Sequence, residues 1–212
     1  MPDLQSHSTV RILSVDDHPV LRTGLSALIA NQSDMQLVGE AGNGKEAIAL
    51  YRDLLPDITL MDLQMPDMDG IECLTNIRAE YPDAKVIVLT TFAGDALAYR
   101  ALKAGACAYV LKQMARTELI DNIRAVHAGA KRVHSVVAAQ LAQHTGDEPL
   151  SPREIQVLSL AALGNSNKEI ATQLFINDET AKGHMKNILA KLHASDRTHA
   201  VTLALRRGII QL

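Results

Sequence analysis

Three carboxylates, a hydroxyl and an ammonium stand where short β-branched, apolar runs of this 212-residue chain end. Asp16 and Asp17 follow Arg11–Val15, Asp62 closes Ile58–Asp62, Thr90 closes Lys85–Thr90, and Lys112 follows Ala106–Leu111. Carboxylates brought together repel, and a hard divalent cation with oxygen ligands relieves that repulsion; Mg²⁺ is the usual choice where phosphate chemistry follows, because it keeps positions open for water and phosphoryl oxygens. Asp62 can then act as a nucleophile toward phosphorus, since carboxylates form aspartyl phosphates, while the metal and Lys112 neutralise charge on the transferring group. Thr90 can donate its hydroxyl to a phosphoryl oxygen. Taken singly, each residue has an ordinary role: Asp caps turns, Thr builds strands, Lys sits solvated. The whole set at consecutive strand ends points to a site.

The elements that must position this set alternate regularly. The four runs and a fifth at Leu37–Glu40 are separated by segments of helical period: Val20–Ala30, Lys45–Arg52, Ile71–Arg78, Ala96–Ala104 and Glu118–His127. Five strands interleaved with five helices predict right-handed βαβ units and a doubly wound, five-stranded parallel sheet of α/β class. The runs Arg-Ile-Leu-Ser-Val and Lys-Val-Ile-Val-Leu-Thr are nearly continuous, as for strands covered on both faces. In such a sheet, ligands bind beyond the carboxyl ends of the strands, at the switch in strand order, which is where the acidic set lies. Asn43 with Glu46 predicts an N-cap, and Gly105 a left-handed helix stop.

After His127 the pattern changes. Residues 128–148 read as a linker that includes a short helix at most, and beyond them come four helical segments with no strand signal. Ser151-Pro152-Arg153-Glu154 and Ser166-Asn167-Lys168-Glu169 are capping boxes, the first with Pro at the opening helical position. Asn177 caps a third helix, and Ser195 or Asp196 opens a fourth that Gly208 closes. Short turns between compact helices suit a helix-turn-helix unit. On the third helix Lys182 and Lys186 are spaced i, i+4 with Lys191 further on, while Ile188, Leu189 and Leu192 face the core. Such lysines reach DNA phosphates or guanine edges, or simply solubilise a helix face.

Charge and composition narrow the classes. Up to residue 127 the chain carries net −6, and beyond it +3, a contrast that hints at a polyanion partner for the second part. Aromatics are only 3% with no Trp, which weakens any reading built on stacking bases or sugars. Cys73 and Cys107 stand without a partner at metal or redox spacing, so neither a disulfide scaffold nor a zinc site is expected. Met1–Thr9 lacks the basic start and apolar stretch of a leader, and no run approaches membrane-spanning length. A soluble protein of a reducing compartment, with no membrane association, is the expectation.

The stretches Val15-Asp16-Asp17-His18-Pro19, Asp62-Leu63-Gln64-Met65-Pro66-Asp67-Met68-Asp69-Gly70, Thr90-Thr91 and Gly105-Ala106-Cys107-Ala108-Tyr109-Val110-Leu111-Lys112 resemble the receiver domain of two-component response regulators. The resemblance covers nearly all of residues 10–127. It implies Asp62 as phosphoacceptor, Asp17 as a direct Mg²⁺ ligand and Asp16 as a ligand mostly through water. Asp62 and the backbone carbonyl of Gln64 complete the implied metal set. It also implies that Lys112 pairs with the phosphoryl group. Thr90 and Tyr109 then form a switch pair whose hydroxyl moves toward phosphate as the ring turns inward.

Residues 149–212, from Leu150-Ser151-Pro152-Arg153-Glu154 through Ile176-Asn177-Asp178-Glu179-Thr180-Ala181-Lys182, resemble a LuxR-type helix-turn-helix domain, and the whole chain resembles the NarL/FixJ class of transcriptional regulators. The resemblance implies a cytoplasmic DNA-binding regulator controlled by a sensor histidine kinase. The third helix, about Asp178 to Leu192, becomes the recognition helix in the major groove, with Lys182, Gly183, Lys186 and Lys191 as DNA-binding positions. One recognition helix contacts too few base pairs to be selective, so a homodimer on paired half-sites is expected once phosphorylated. Gly183 departs from the family pattern, which more often has Val, Thr or another base-touching side chain there. It offers no atoms for readout, which shifts weight to Lys182, Lys186 and DNA shape.

An enzyme reading makes the acidic edge a phosphohydrolase of the aspartyl-phosphate type. Against it, Asp62-Leu63-Gln64 lacks a second carboxylate two positions on to act as general acid, and no insertion is available to close over a substrate. A third reading keeps the fold and makes the first domain a dimerisation or ligand-sensing module without phosphorylation.

Overall fold

Nearly continuous apolar runs need both faces covered, and the chain meets that need with a parallel sheet flanked by its crossover helices. The computed structural model describes residues 9–91, 94–113, 116–133, 137–139, 142 and 148–210. The N-terminal reading therefore falls, apart from Thr9, outside the described residues. The chain divides into two compact units, Met1–Phe92 with Ala98–Ser135, and Ala93–Leu97 with Val136–Leu212.

In the first unit the strands are β1 (Val10–Val15), β2 (Met35–Ala41), β3 (Ile58–Met61), β4 (Val86–Thr90), β5 (Ala108–Leu111) and β6 (Arg132–Val133). They lie in the order β2-β1-β3-β4-β5-β6 and pair in parallel throughout. Between them run α1 (Pro19–Ala30), α2 (Gly44–Leu54), α3 (Gly70–Glu80), α4 (Asp95–Lys103) and α5 (Arg116–His127). Every residue of β3 and β4 is buried. Leu25 and Ile29 of α1 and Ile120 and Ile123 of α5 pack with Ile12, Ile58 and Ile87 of the sheet.

The sheet has six strands where five were expected. The sixth is two residues long, sets Arg132 opposite Ala108 and Val133 opposite Tyr109, and falls inside the stretch read as a linker. Two residues carry no period, so no pattern announces it. Of the rest of 128–148, residues 134–136, 140–141 and 143–147 lie outside the described residues, and 137–139 are helical.

Local chemistry sets the element ends as expected. The Asn43 side chain accepts from the Glu46 amide at 2.9 Å, while the Glu46 carboxylate accepts from the Gly42 amide at 2.7 Å. Gly105, with φ at +104°, ends α4 in a conformation that favours glycine.

The second unit contains α6 (Pro152–Ala162), α7 (Asn167–Gln173), α8 (Asp178–Lys191) and α9 (Arg197–Arg207). Their shared core is built on Val157, Leu158, Ile170, Met185, Ile188 and Leu192. Ser151 and Ser166 form complete capping boxes with Glu154 and Glu169. Asn177 caps α8, Asp196 rather than Ser195 caps α9, and Gly208 closes it in the left-handed region. Among the described residues no helix is long and apolar enough to cross a membrane.

Glu154 does more than close a box. It is 3% exposed, and its Oε2 accepts from the Ser151 amide at 2.7 Å, the Ser151 hydroxyl at 2.9 Å and Lys191 Nζ at 3.1 Å. Burial pushes its carboxyl pKa up, but the Ser151 donors and Lys191 outweigh that and hold it below the ordinary value. A carboxyl with a lower pKa folded than unfolded adds stability above its unfolded pKa and loses it as pH falls through the folded one. Glu154→Gln is expected to lower the unfolding free energy by about 1–3 kcal/mol at neutral pH and to flatten the acid limb of the stability curve. Denaturant midpoints of the full chain, followed from neutral pH to below the carboxylate range, check both.

Candidate functional site

Strand register assembles the first site. Val15 sits opposite Met61, and the Asp62 amide extends that ladder by donating to the Val15 carbonyl at 2.8 Å, so Asp16 and Asp62 leave neighbouring strands side by side. On the other flank Thr90 sits opposite Leu111, and the Lys112 amide donates to the Thr90 carbonyl at 2.7 Å. The switch in strand order falls between β1 and β3, which opens a crevice at their carboxyl ends.

Lys112 Nζ lies 2.7 Å from Asp16 Oδ2 and 2.7 Å from Asp62 Oδ2, with all three side chains buried. Asp62 Oδ1 accepts from the Leu63 amide at 2.7 Å and Asp62 takes a further backbone hydrogen bond from Gln64. Burial raises the Asp62 pKa and the Asp16 charge adds to it, with Lys112 pulling the other way. Burial alone would depress the Lys112 pKa, but its hydrogen bonds to Asp16 and Asp62 carry it above the ordinary value, so the ammonium stays charged.

Asp16, Asp17, Asp62 and Lys112 thus come together as expected. Thr90 is wholly buried at the end of β4, and Tyr109 is wholly buried in β5, its phenol pKa raised by burial and by the Asp62 charge. Gln64 is half-buried in the loop after β3. His18 was not expected: its Nδ1 lies 2.7 Å from Asp17 Oδ1 and 3.3 Å from Asp16 Oδ1. Its place directly after the acidic pair was the available signal.

Ligand atoms of Asp16, Asp17, His18 and Asp62 all lie within 4.8 Å of one another. Three carboxylates face one ammonium here, and Asp17 Oδ1 is buried without a hydrogen bond despite the nearby ring nitrogen of His18. An oxygen-rich set with an orphaned carboxylate oxygen and surplus negative charge fits a hard divalent cation such as Mg²⁺.

Gly70, which closes the stretch that begins at Asp62, positions the Asp62 peptide. Its amide donates to the Leu63 carbonyl at 3.0 Å, and a Cβ there would run into the Asp62 carbonyl oxygen, with the Leu63 Cα 2.8 Å away. A glycine opening a helix, where other residues start helices better, is the signal for such an approach.

The second site is the outer face of α8. Lys182, Gly183 and Lys186 are exposed, while Ala181, Met185 and Ile188 are buried. Lys182 is held by Asp178 at 3.0 Å and Glu179 at 2.8 Å, whereas Lys186 has no ion pair among the described residues. Lys191 does not continue the stripe. Nine residues past Lys182 it lies about half a turn round the helix, 18% exposed and paired with Glu154 at 3.1 Å and Glu148 at 2.9 Å.

Known proteins share both halves. Residues 12–124 match the response regulator receiver domain, and residues 148–204 match the bacterial regulatory proteins of the luxR family. The chain is 42% identical to the transcriptional regulatory protein LiaR of Bacillus subtilis over 95% of this chain and 99% of that one. It is 41% identical to the response regulator protein VraR of Staphylococcus aureus over 96% and 100%. A solved structure of two RcsB dimers bound to two parallel DNAs is similar over 94% of this chain and 99% of that one, with a TM-score of 0.70 and 27% identity. The chain belongs to the two-component response regulators that couple a receiver domain to a LuxR-type DNA-binding domain, a family of transcriptional regulators.

Gly70→Ala is expected to cost about 1–3 kcal/mol, because the atoms a new methyl meets are backbone and cannot swing aside. The denaturant midpoint measures it, and an unchanged midpoint would show that the Asp62–Leu63 peptide yields freely.

Proposed function

We propose that residues 10–127 form a receiver in which Asp62 accepts a phosphoryl group from a sensor histidine kinase. Residues 128–148, of which Arg132–Val133 pair with β5 as β6, lead from it to a DNA reader at 149–212. The observation that carries this reading is the buried bridge of Lys112 between Asp16 and Asp62 at the strand-order switch. Attack by an Asp62 carboxylate oxygen forms the new P–O bond as the donor's P–N bond breaks, the histidine nitrogen leaving with the electron pair. Lys112, already 2.7 Å from Asp62 Oδ2, is placed to neutralise a phosphoryl oxygen. Asp16, Asp17, Asp62 and the Gln64 carbonyl would hold Mg²⁺. When bound, the cation supplies charge neutralisation on the transferring group.

Thr90 and Tyr109, one on each of two neighbouring strands, sense the phosphoryl group and bias the receiver between two packings. The favoured packing promotes a homodimer whose α8 helices enter successive major grooves, with Lys182 and Lys186 toward the DNA and Gly183 between them. The DNA-bound RcsB dimers support this reading by similarity. The protein acts in the cytoplasm as a switch and performs no substrate turnover.

Asp62→Asn is expected to abolish labelling by a small phosphodonor with Mg²⁺; retained labelling would place the acceptor elsewhere. Lys186→Ala is expected to weaken duplex binding and reduce the slope of log affinity against log salt by about 1, and titrations at several salt concentrations decide it.

A further inference from the structure

The candidate ligand atoms at the acidic edge are not equally engaged. Asp16 Oδ1 accepts from the His18 amide at 2.9 Å, and Asp16 Oδ2 lies 2.7 Å from Lys112 Nζ. Asp62 Oδ1 accepts from the Leu63 amide at 2.7 Å, and Asp62 Oδ2 accepts from Lys112 at 2.7 Å. Two atoms stand apart: Asp17 Oδ1, buried with no hydrogen-bond partner, and His18 Nδ1, which lies 2.7 Å from it. The helix does not account for this histidine. His18 is the N-cap of α1, a position that favours Ser, Thr, Asp or Asn, yet its side chain makes no capping bond. Packing does not account for it either, since the side chain is 62% exposed.

We infer that His18 is a metal-ligating residue, whose Nδ1 joins the carboxylates of Asp16, Asp17 and Asp62 in holding a first-row transition dication such as Ni²⁺ or Zn²⁺. The inference rests on the acidic cluster being the cation site. Neighbouring ligands on an octahedral ion with bonds of about 2.0–2.1 Å lie about 2.8–3.0 Å apart, and on a tetrahedral ion about 3.3–3.4 Å. His18 Nδ1 lies 2.7 Å from Asp17 Oδ1 and 3.3 Å from Asp16 Oδ1, and one ligand atom from each of the four residues lies within 4.8 Å of the others. A nitrogen and an oxygen this close, with no hydrogen bond between them, both gain from a positive charge placed against their lone pairs. Carboxylate oxygens suit Mg²⁺, whereas imidazole nitrogen suits Ni²⁺ and Zn²⁺. Mg²⁺ therefore uses the oxygens and keeps water where the ring would bind, while a transition dication recruits the ring.

The test titrates the full-length chain with Ni²⁺ and with Mg²⁺ by calorimetry at one fixed pH, for wild type, His18→Ala, His18→Gln and Asp17→Asn, and records the visible absorption of bound Ni²⁺. Ni²⁺ binding that excess Mg²⁺ suppresses reports this cluster rather than a histidine elsewhere. Loss of a group that merely supports a ligand costs about 10–100-fold in metal affinity, and His18→Ala is expected to weaken Ni²⁺ binding by no less. It should leave Mg²⁺ affinity as in wild type and move the Ni²⁺ absorption to longer wavelength, as water oxygen replaces nitrogen. His18→Gln, which keeps a polar side chain without the imidazole, gives the same result should alanine disturb the start of α1. Unchanged Ni²⁺ affinity or spectrum in the His18 variants, or an equal loss for both cations, overturns the inference, as does Ni²⁺ binding that Mg²⁺ fails to suppress. Asp17→Asn is expected to weaken both cations; if it leaves both unchanged, the cation-site reading beneath the inference falls instead.

Discussion

An ammonium held between two buried carboxylates is the constraint around which the receiver unit is built. The carboxylates recover lost hydration through Lys112 and nearby backbone amides, and Lys112 through the two carboxylates, so removing the ammonium strands negative charge in a poorly polarisable setting. Such a triad is a weak source of stability, since apolar residues of similar volume fill the same space without desolvation. Its retention makes sense when the surplus negative charge has a use. With Asp17 beside them, the cluster carries more carboxylate than Lys112 can balance, a surplus compatible with a bound divalent cation.

The rest of the first unit follows from holding those groups at hydrogen-bond distance. Parallel pairing places successive strand ends on one edge, and parallel pairing in turn requires crossover helices, which cover both faces and force the strands to be apolar. Gly70 lets α3 start directly against the Asp62 peptide, and Arg22 on α1 donates to the Asp16 carbonyl at 2.5 Å. The Asp62 loop is therefore fixed through its backbone as well as its side chains.

Much of this was legible because the informative residues stand at boundaries. Asp16, Asp62 and Lys112 end apolar runs, and a run end is a position that a linear pattern reveals. The caps at Asn43, Ser151, Ser166, Asn177 and Gly208 were readable for the same reason: their chemistry acts on residues three or four places away. What escaped depends on approach through space. β6 is too short to show a period, and Gly70 matters only because the Asp62 peptide lies against it. Lys191 looked like an extension of Lys182 and Lys186, yet its partner Glu154 is 37 residues upstream, a pairing that becomes visible only once the helices pack. His18 lay between these cases, adjacent in sequence but informative only when its ring was seen beside Asp17.

The ion pairs of Lys182 with Asp178 and Glu179 bear on how a DNA reader behaves away from its target. A lysine already neutralised within its own helix displaces few condensed counterions when it meets a phosphate, and the acids it abandons then face a polyanion. Non-specific attraction is thereby muted. Only a sequence offering that ammonium a guanine edge, or the two carboxylates a cytosine amino group, compensates for the exchange. With Lys182 turned toward DNA, as proposed, the acidic first turn of α8 would weaken loose adhesion and shorten the time spent on the wrong stretches of duplex.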